Sequence, residues 1–278
     1  MKFTKMHGIG NDFVLVDARD LTQRWPELAK EVCDRHFGAG ADGLILVLTS
    51  DDADLGMRMF NPDGSESDMC GNGLRCFIKY AVDRKLVDLS DEIITVETGA
   101  GILSGQPLRR DGHLDTVRVQ MGRPRFAPNE VPVAIEAEPP LKDIPLEIDG
   151  ETIAVTCLSM GNPHAVHFID GPVDAYPLET VGPKVEHHPL FPHRVNFEVA
   201  RVVARDHIEA RVWERGAGPT LACGSGAAAV MVAARLHDLA DQWVELRLPG
   251  GTLALEWDGE GEVFITGPAV EVYEGEWP

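Results

Sequence analysis

Alternation of apolar and polar residues along short stretches predicts β-strands in both halves of the chain. The clearest of these stretches are residues 13–16, 44–48, 117–121 and 197–203. Two helices are predicted as well, because apolar residues after Cys70 recur at the spacing of one helix face, and residues 227–234 are apolar all round. A helix that is apolar on every side has to be enclosed by protein. Each half is therefore predicted to place short strands around one helix.

The second half of the chain repeats the first at an offset of about 150 residues, which indicates an internal duplication. The matching runs are Gly10-Asn11 with Gly161-Asn162, residues 57–60 with 210–213, Cys70-Gly71-Asn72-Gly73 with Cys223-Gly224-Ser225-Gly226, and residues 94–103 with 244–253. Chance does not give so many matches in the same order. The predicted fold class is α+β, with two similar lobes that face each other across a cleft. The Pro-rich, acidic stretch 124–145 is predicted to link them.

Charge and hydropathy narrow the classes of partner. The net charge is −20 at pH 7, and nucleic acids or anionic membranes repel such a protein, so neither is expected as a partner. No apolar run approaches the roughly 20 residues of a membrane span. The first residues also lack the apolar core of a signal peptide. We therefore expect a cytoplasmic protein.

Five cysteines are spread over the chain without a C-x-x-C pair, so neither a disulfide framework nor a metal site is predicted. In a reducing compartment each is either an inert, small apolar residue or a reactive thiol. Cys76 falls inside a predicted helix, and Cys33 and Cys157 lack flanking glycines. These three are predicted to be structural.

Cys70 and Cys223 each precede a Gly-x-Gly that opens a predicted helix. A helix N-terminus offers N–H donors and a partial positive charge, so it binds carboxylates and favours a thiolate. Two thiols on opposite sides of an α-carbon can remove a proton from one face and return one to the other. The pair therefore indicates a racemase or epimerase that needs no cofactor. A phosphate-binding loop is disfavoured, because no Gly-Lys-Ser/Thr and no Rossmann spacing follows.

Seven motifs extend this pattern: Gly8-Ile9-Gly10-Asn11-Asp12-Phe13, Phe60-Asn61-Pro62-Asp63-Gly64-Ser65, Met69-Cys70-Gly71-Asn72-Gly73, Gly161-Asn162-Pro163-His164, Val195-Asn196-Phe197, Trp213-Glu214-Arg215-Gly216 and Ala222-Cys223-Gly224-Ser225-Gly226. By these motifs the whole chain resembles the diaminopimelate epimerase family. The resemblance implies interconversion of LL- and meso-diaminopimelate on the route to lysine and peptidoglycan, without a cofactor or metal, by a homodimer. It implies a mixed β-sheet around a central helix in each lobe. The expected lobes are residues 1–125, completed by 268–278, and residues 126–267, with the active site in the cleft between them.

The resemblance also implies a role for each motif residue, with Cys70 and Cys223 as the two acid/base groups. Asn11 would lie near the reacting amino group. Backbone N–H groups expected to bind the reacting carboxylate are those of Gly71, Asn72, Gly224 and Ser225. Residues expected to bind the far ammonium and carboxylate are Asn61, Asn162, Asn196, Glu214 and Arg215, with His164 in a supporting role. The chain departs from some members at Gly43, where they carry a Gln that contacts substrate.

Three other functions stay open at this point. A proline or hydroxyproline racemase has the same paired cysteines, but those enzymes usually carry His at the position of Asn72. Its monocarboxylate substrate would also leave Arg215 without a partner. A ligand-binding relative without catalysis is expected to lack one cysteine, and both are present. A thiol–disulfide oxidoreductase is disfavoured by the missing C-x-x-C.

Overall fold

The protein divides into two compact units in the computed structural model, which describes residues 1–88 and 92–278. The first unit comprises Met1–Gln120 and Thr266–Pro278, and the second comprises Met121–Ile265. The first unit is thus discontinuous in sequence, because the second is inserted into it.

Strands predominate over helices in both units. Up to Gln120 the elements are β1 (Lys2–Gly8), β2 (Asn11–Asp17), α1 (Trp25–Val32), β3 (Gly43–Leu48), β4 (Leu55–Phe60), β5 (Glu66–Ser67), α2 (Gly71–Asp83), β6 (Ile94–Thr98), β7 (Gly101–Arg110) and β8 (His113–Gln120). From Met121 onwards they are β9 (Leu141–Ile148), β10 (Glu151–Ser159), β11 (Pro163–Phe168), a short 3-10 helix (Val173–Ala175), α3 (Leu178–Glu186), β12 (Asn196–Ala204), β13 (His207–Glu214), β14 (Gly218–Thr220), α4 (Gly224–Leu236), β15 (Trp243–Leu248), β16 (Gly251–Glu256), β17 (Phe264–Pro268) and β18 (Val270–Glu276).

Both units follow one strand topology. In the first unit β1 and β2 are antiparallel, β2 and β3 parallel, β3 and β4 antiparallel, and β4 and β6 parallel. In the second unit the same relations join β10 to β11, β11 to β12, β12 to β13, and β13 to β15. An outer antiparallel strand completes each set, β18 beside β1 and β9 beside β10. The predicted duplication and α+β class are therefore confirmed.

Each unit encloses one helix, as the sequence predicts. In the first unit α2 packs against β1, β2, β3, β7 and β8, and its apolar residues Leu74, Phe77 and Ile78 have no exposed surface. In the second unit α4 packs against strands β10 to β13 and β16, and all of residues 227–234 are buried. None of the helices in the described part of the chain is long and apolar enough to span a membrane.

The predicted strands agree with the structure, but the predicted linker is partly wrong. Residues 13–16, 44–48 and 197–203 lie inside β2, β3 and β12, and β8 ends one residue before Met121. Residues 124–140 lie outside helices and strands, as expected, yet Val131 and Val133 are buried in an apolar cluster. Strand β9 begins before the predicted linker ends and includes Pro145. The alternating buried residues of β9 give it an apolar face that outweighs the local proline content.

Candidate active site

Cys70 lies directly before α2 with an extended backbone, at φ −142° and ψ 118°. The residue is partly exposed, whereas Gly71 and Asn72 of the first helical turn are buried. The first N–H groups of an α-helix have no acceptor within the helix. The Cys70 residue therefore lies at the end of α2 where backbone N–H groups are free of helical acceptors and can bind an anion.

Cys223 occupies the equivalent position before α4, at φ −123° and ψ 114°, but it is buried. Its sulfur accepts a hydrogen bond from the N–H of Gly226 at 3.4 Å and lies 3.5 Å from Ser225 Oγ. The carboxylate of Glu214 also interacts electrostatically with the thiol. The duplicated motif thus gives the two sulfurs the same backbone setting and different side-chain neighbours.

The pKa of Cys223 lies well above its usual value. Burial is the main cause, and the carboxylates of Glu214 and Glu198 add to it. The hydrogen bonds from Ser225 and Gly226 act in the opposite direction and are outweighed. The expectation that a helix start favours the thiolate is therefore wrong for Cys223, which rests as a thiol.

The other cysteines behave as the sequence predicts. Burial raises the pKa of Cys33, Cys76 and Cys157 to about 12 in each case. Each side chain is at most 2% exposed. They are therefore inert, apolar parts of the core at neutral pH.

Asn11 faces the first cysteine through a fixed amide. Its Oδ1 accepts from Asn72 Nδ2 at 3.1 Å and lies 3.7 Å from Cys70 Sγ. Its Nδ2 donates to Asp42 Oδ2 at 2.8 Å. Asp42 therefore orients the amide so that its oxygen points to Cys70, where it can accept from a thiol or an ammonium group.

A chain of hydrogen bonds runs from the buried Glu198 to the second cysteine. Glu198 Oε1 lies 2.7 Å from His164 Nδ1, and His164 Nε2 lies 2.9 Å from Asn162 Oδ1. Asn162 Nδ2 donates to Ser225 Oγ at 3.1 Å, and Ser225 lies beside Cys223. Because an amide oxygen only accepts, His164 Nε2 carries a proton, and a second proton lies between Nδ1 and Glu198. Glu198 and His164 therefore orient the Asn162 amide that reaches Ser225.

The remaining predicted residues form a less uniform group. Asn196 is buried, its Oδ1 accepting from the N–H of Arg215 at 2.9 Å and its Nδ2 donating to the carbonyl oxygen of Pro163 at 2.9 Å. It therefore positions the backbone of Arg215. The Arg215 guanidinium is exposed and donates to the carbonyl oxygen of His193 at 3.2 Å. Asn61 closes a tight loop, donating from Nδ2 to Ser65 Oγ at 3.0 Å.

Gly43 and Glu214 are two further positions that the sequence analysis singled out. A Cβ at Gly43 would lie 3.0 Å from Met59 Cε and 3.1 Å from the carbonyl oxygen of Phe60, so the backbone here leaves little room for the Gln of some relatives. Burial raises the pKa of Glu214, whose carboxylate also accepts from the Thr220 hydroxyl. At residues 1–88 and 92–278, His, Cys, Asp and Glu side chains do not gather in threes that could hold a metal ion.

Comparison with known proteins agrees with these motifs. The family model described as diaminopimelate epimerase matches residues 3–127 and 156–272. The chain belongs to this family. A diaminopimelate epimerase of Acetivibrio thermocellus is 50% identical over 99% of the chain and 98% of the relative, and one of Moorella thermoacetica is 50% identical over 100% and 99%. The predicted family is thus confirmed, and with it the prediction of an isomerase.

Solved structures of lower identity share the fold of this diaminopimelate epimerase family member. A hydroxyproline epimerase of Agrobacterium vitis has a TM-score of 0.73 at 16% identity, with 99% of this chain and 91% of that chain covered. A phenazine biosynthesis protein of the PhzF family from Bacillus anthracis has a TM-score of 0.69 at 18% identity, with 100% and 99% covered. These values confirm the predicted fold.

Two buried charged residues beside the motifs, Arg75 and Glu198, were not predicted from the sequence. Arg75 follows Cys70 by one helical turn and is fully buried. Glu198 is 1% exposed, and its Oε2 has no hydrogen-bond partner among the described residues. The available signal was a charged residue at a position where the apolar pattern predicts the inward face, in helix α2 and in strand β12.

Proposed function

We propose that the protein interconverts LL- and meso-diaminopimelate with Cys70 and Cys223 as its two acid/base groups and without a cofactor. The observation that carries the proposal is the duplicated helix start, in which each unit presents one cysteine followed by Gly-x-Gly. Membership in the diaminopimelate epimerase family supports the choice of substrate. Epimerisation needs one group to take the α-proton and another to return a proton on the opposite face.

The reaction balances as one proton taken and one proton given. In one direction the thiolate of Cys70 takes the α-proton, and the thiol of Cys223 delivers its own to the opposite face. The backbone N–H groups of Gly71, Asn72, Gly224 and Ser225 stabilise the carboxylate as negative charge develops next to it. In the reverse direction the two cysteines exchange roles.

Substrate choice follows from the charges at the far end of diaminopimelate. We assign the distal carboxylate to Arg215, whose planar guanidinium can bind it through two hydrogen bonds. The distal ammonium is assigned to Glu214, and the Asn61, Asn162 and Asn196 amides are assigned to orienting the distal groups. Asn11, whose Oδ1 faces Cys70, is assigned to the reacting ammonium. A monocarboxylate such as proline would leave the distal groups without partners.

We also propose that the protein acts in the cytoplasm as a homodimer. Its substrate and product are intermediates on the route to lysine and peptidoglycan, as the family resemblance implies. Family members of this kind are expected as dimers. Sedimentation equilibrium at micromolar concentration would contradict this if the mass were that of one chain, 30.3 kDa.

Proton NMR in D₂O tests the two-base reaction. Starting from LL-diaminopimelate, early product should carry deuterium at the inverted α-carbon, while remaining substrate stays unlabelled. The reason is that the delivered proton comes from a thiol that has exchanged with solvent. Cys70→Ala and Cys223→Ala should each abolish turnover, whereas the matched control Cys76→Ala should affect only packing. Abundant protium at the inverted centre, loss of activity with a chelator, or turnover of proline instead would contradict the proposal.

A further inference from the structure

Asp42 lies directly before strand β3, and its carboxylate binds the start of strand β2. Its Oδ2 accepts from the side-chain Nδ2 of Asn11 at 2.8 Å and from the backbone N–H of Asp12 at 3.0 Å. Its Oδ1 accepts from Arg35 Nη2 at 2.6 Å. Donors from three residues therefore hold this carboxylate in place.

The Asn11 amide can take only one orientation beside this carboxylate. An ionised carboxylate has no proton to donate, so Asn11 has to present its Nδ2 to Asp42 and its Oδ1 to the opposite side. That oxygen accepts from the Cys70 sulfur at 3.7 Å and from Asn72 Nδ2 at 3.1 Å. The acceptor that faces Cys70 is thus set by a residue that does not contact the cysteine itself.

The second amide of this network, that of Asn72, is fixed from its far side. Arg75 Nη2 donates to Asn72 Oδ1 at 2.8 Å, and both side chains are buried. A guanidinium cannot accept a hydrogen bond, so Asn72 has to turn its Nδ2 towards Asn11. The network thus runs from a group that only donates to a group that only accepts. Both amides are oriented by its ends, and the oxygen of Asn11 is left to face Cys70.

The second unit shows that the Gly-Asn motif alone does not set this orientation. Asn162, the counterpart of Asn11, accepts at its Oδ1 from His164 Nε2 at 2.9 Å. Its Nδ2 donates to the hydroxyl oxygen of Ser225, the counterpart of Asn72, at 3.1 Å. The two related amides are therefore turned in opposite directions, and their neighbours decide which end faces the cysteine motif.

The residue before one strand of each unit differs accordingly. The registers of β2 with β3 and of β11 with β12 place Asp42 and Val195 at matching positions. Val195 is apolar and has no exposed surface, so its side chain offers no acceptor to an amide. The unit that carries the carboxylate is the one in which the amide oxygen faces the cysteine.

We propose that Asp42 is a positioning residue that holds the Asn11 oxygen towards Cys70 as its hydrogen-bond acceptor. An acceptor at the sulfur stabilises the thiol, so it favours the step in which Cys70 takes the α-proton. In that step the C–H bond breaks with its electron pair left on carbon, and the new S–H donates to Asn11 Oδ1. The proposal rests on the proposed function for this catalytic meaning.

The test is the pH dependence of Cys70 alkylation by iodoacetamide in the full chain, followed by mass spectrometry of the peptide. Asp42→Ala removes the acceptor, so the Asn11 amide can turn its nitrogen towards the sulfur. We expect the midpoint to fall by about half a pH unit or more, because the thiol loses an acceptor and the thiolate gains a donor. Epimerase kcat should fall about threefold or more, because Cys70 becomes a weaker base.

Asp42→Asn is the matched control, because it removes the same charge and keeps an acceptor. The backbone N–H of Asp12 donates to the same oxygen as Asn11, so the new amide has to place its own oxygen there. Arg35 is exposed and keeps its pair with Asp12. The midpoint and kcat of Asp42→Asn should therefore stay close to those of the wild type.

The other charged and titratable groups around this network are the same in both variants. Asp12 pairs with Lys5 and with Arg35, and Arg75 and Cys76 follow Cys70 in helix α2. Their effects on the sulfur cancel when the Ala and Asn variants are compared. The difference between the two midpoints therefore reports the acceptor and not the charge.

An unchanged midpoint in folded Asp42→Ala would overturn the inference. Equal shifts in the Ala and Asn variants would overturn it as well, because the effect would then be one of charge. If Asp42→Ala does not fold, Asn11→Leu takes its place, since it removes the amide oxygen without a change in charge, and an unchanged midpoint there has the same meaning. The midpoint is measured without substrate, so it decides the role of Asp42 alone. Wild-type protein that does not epimerise diaminopimelate refutes the proposed function instead.

Discussion

Arg215 provides the sharpest test of substrate choice at the scale of single residues. We expect Arg215→Met to lower kcat/KM for diaminopimelate by the equivalent of about 2–5 kcal/mol, because a distal carboxylate would lose its charged partner. Steady-state kinetics of the purified variant measures the effect. Arg194→Met is the matched control, since this nearby guanidinium already pairs with Glu186 at 3.3 Å. A loss of only a few-fold in Arg215→Met would remove Arg215 from the binding site.

Sequence and structure differ most clearly over buried charge. The polar motif residues could be named in advance because each lies in a short run whose spacing is specific. Arg75 and Glu198 could not, because charged residues are most often solvated and burial is decided by partners distant in sequence. Pro268, which accepts from Arg75, lies 193 residues further along the chain. The raised pKa of Cys223 was missed for the same reason, since Glu198 comes from a separate strand.

At the scale of elements, the start of α4 depends on glycine. Gly226→Ala would place a Cβ 2.8 Å from Glu198 Oε1 and 3.4 Å from Cys223 Sγ. We expect the carboxylate to move off His164 and the free energy of unfolding to fall by about 1–3 kcal/mol, with a loss of activity. Chemical denaturation measures this. Gly171→Ala, at a position with open space around the new Cβ, should change neither quantity. If Gly226→Ala has the same free energy of unfolding as the wild type, the close packing inferred around Gly226 is refuted.

The elements themselves were largely predictable. Apolar spacing identifies α2, α4 and three strands within their observed bounds, because their buried faces follow the periods of helix and strand. The start of β9 was hidden by proline content. Its strand character comes from Ile144, Leu146 and Ile148, which alternate towards the core of the second unit. Composition alone cannot distinguish an exposed, proline-rich linker from a proline-containing segment that forms a strand with one buried face.

At the scale of the whole molecule, the buried thiols are expected to lower the free energy of unfolding as the pH becomes alkaline. Cys157 has a pKa raised from 9.0 to about 12, so the folded state keeps a proton that the unfolded state releases. The stability that the protonated Cys157 thiol contributes is fully present below pH 9. It is lost as the pH rises towards 12, at about 1.4 kcal/mol per pH unit. Urea unfolding between pH 8 and pH 11 should therefore show a shallower decline in Cys157→Ala than in wild type. Equal slopes would contradict the assignment.

The outer strand pairs of the two units have very different sequence separations. Strands β9 and β10 are joined by Asp149 and Gly150 alone, whereas residues 9–269 lie between β1 and β18. The entropy lost on closing a loop grows by about 0.6 kcal/mol for each doubling of its length. During synthesis the second unit can therefore complete its outer pair as soon as β10 emerges. Strand β1 has to wait for the whole inserted unit, with one edge open to pairing with other chains.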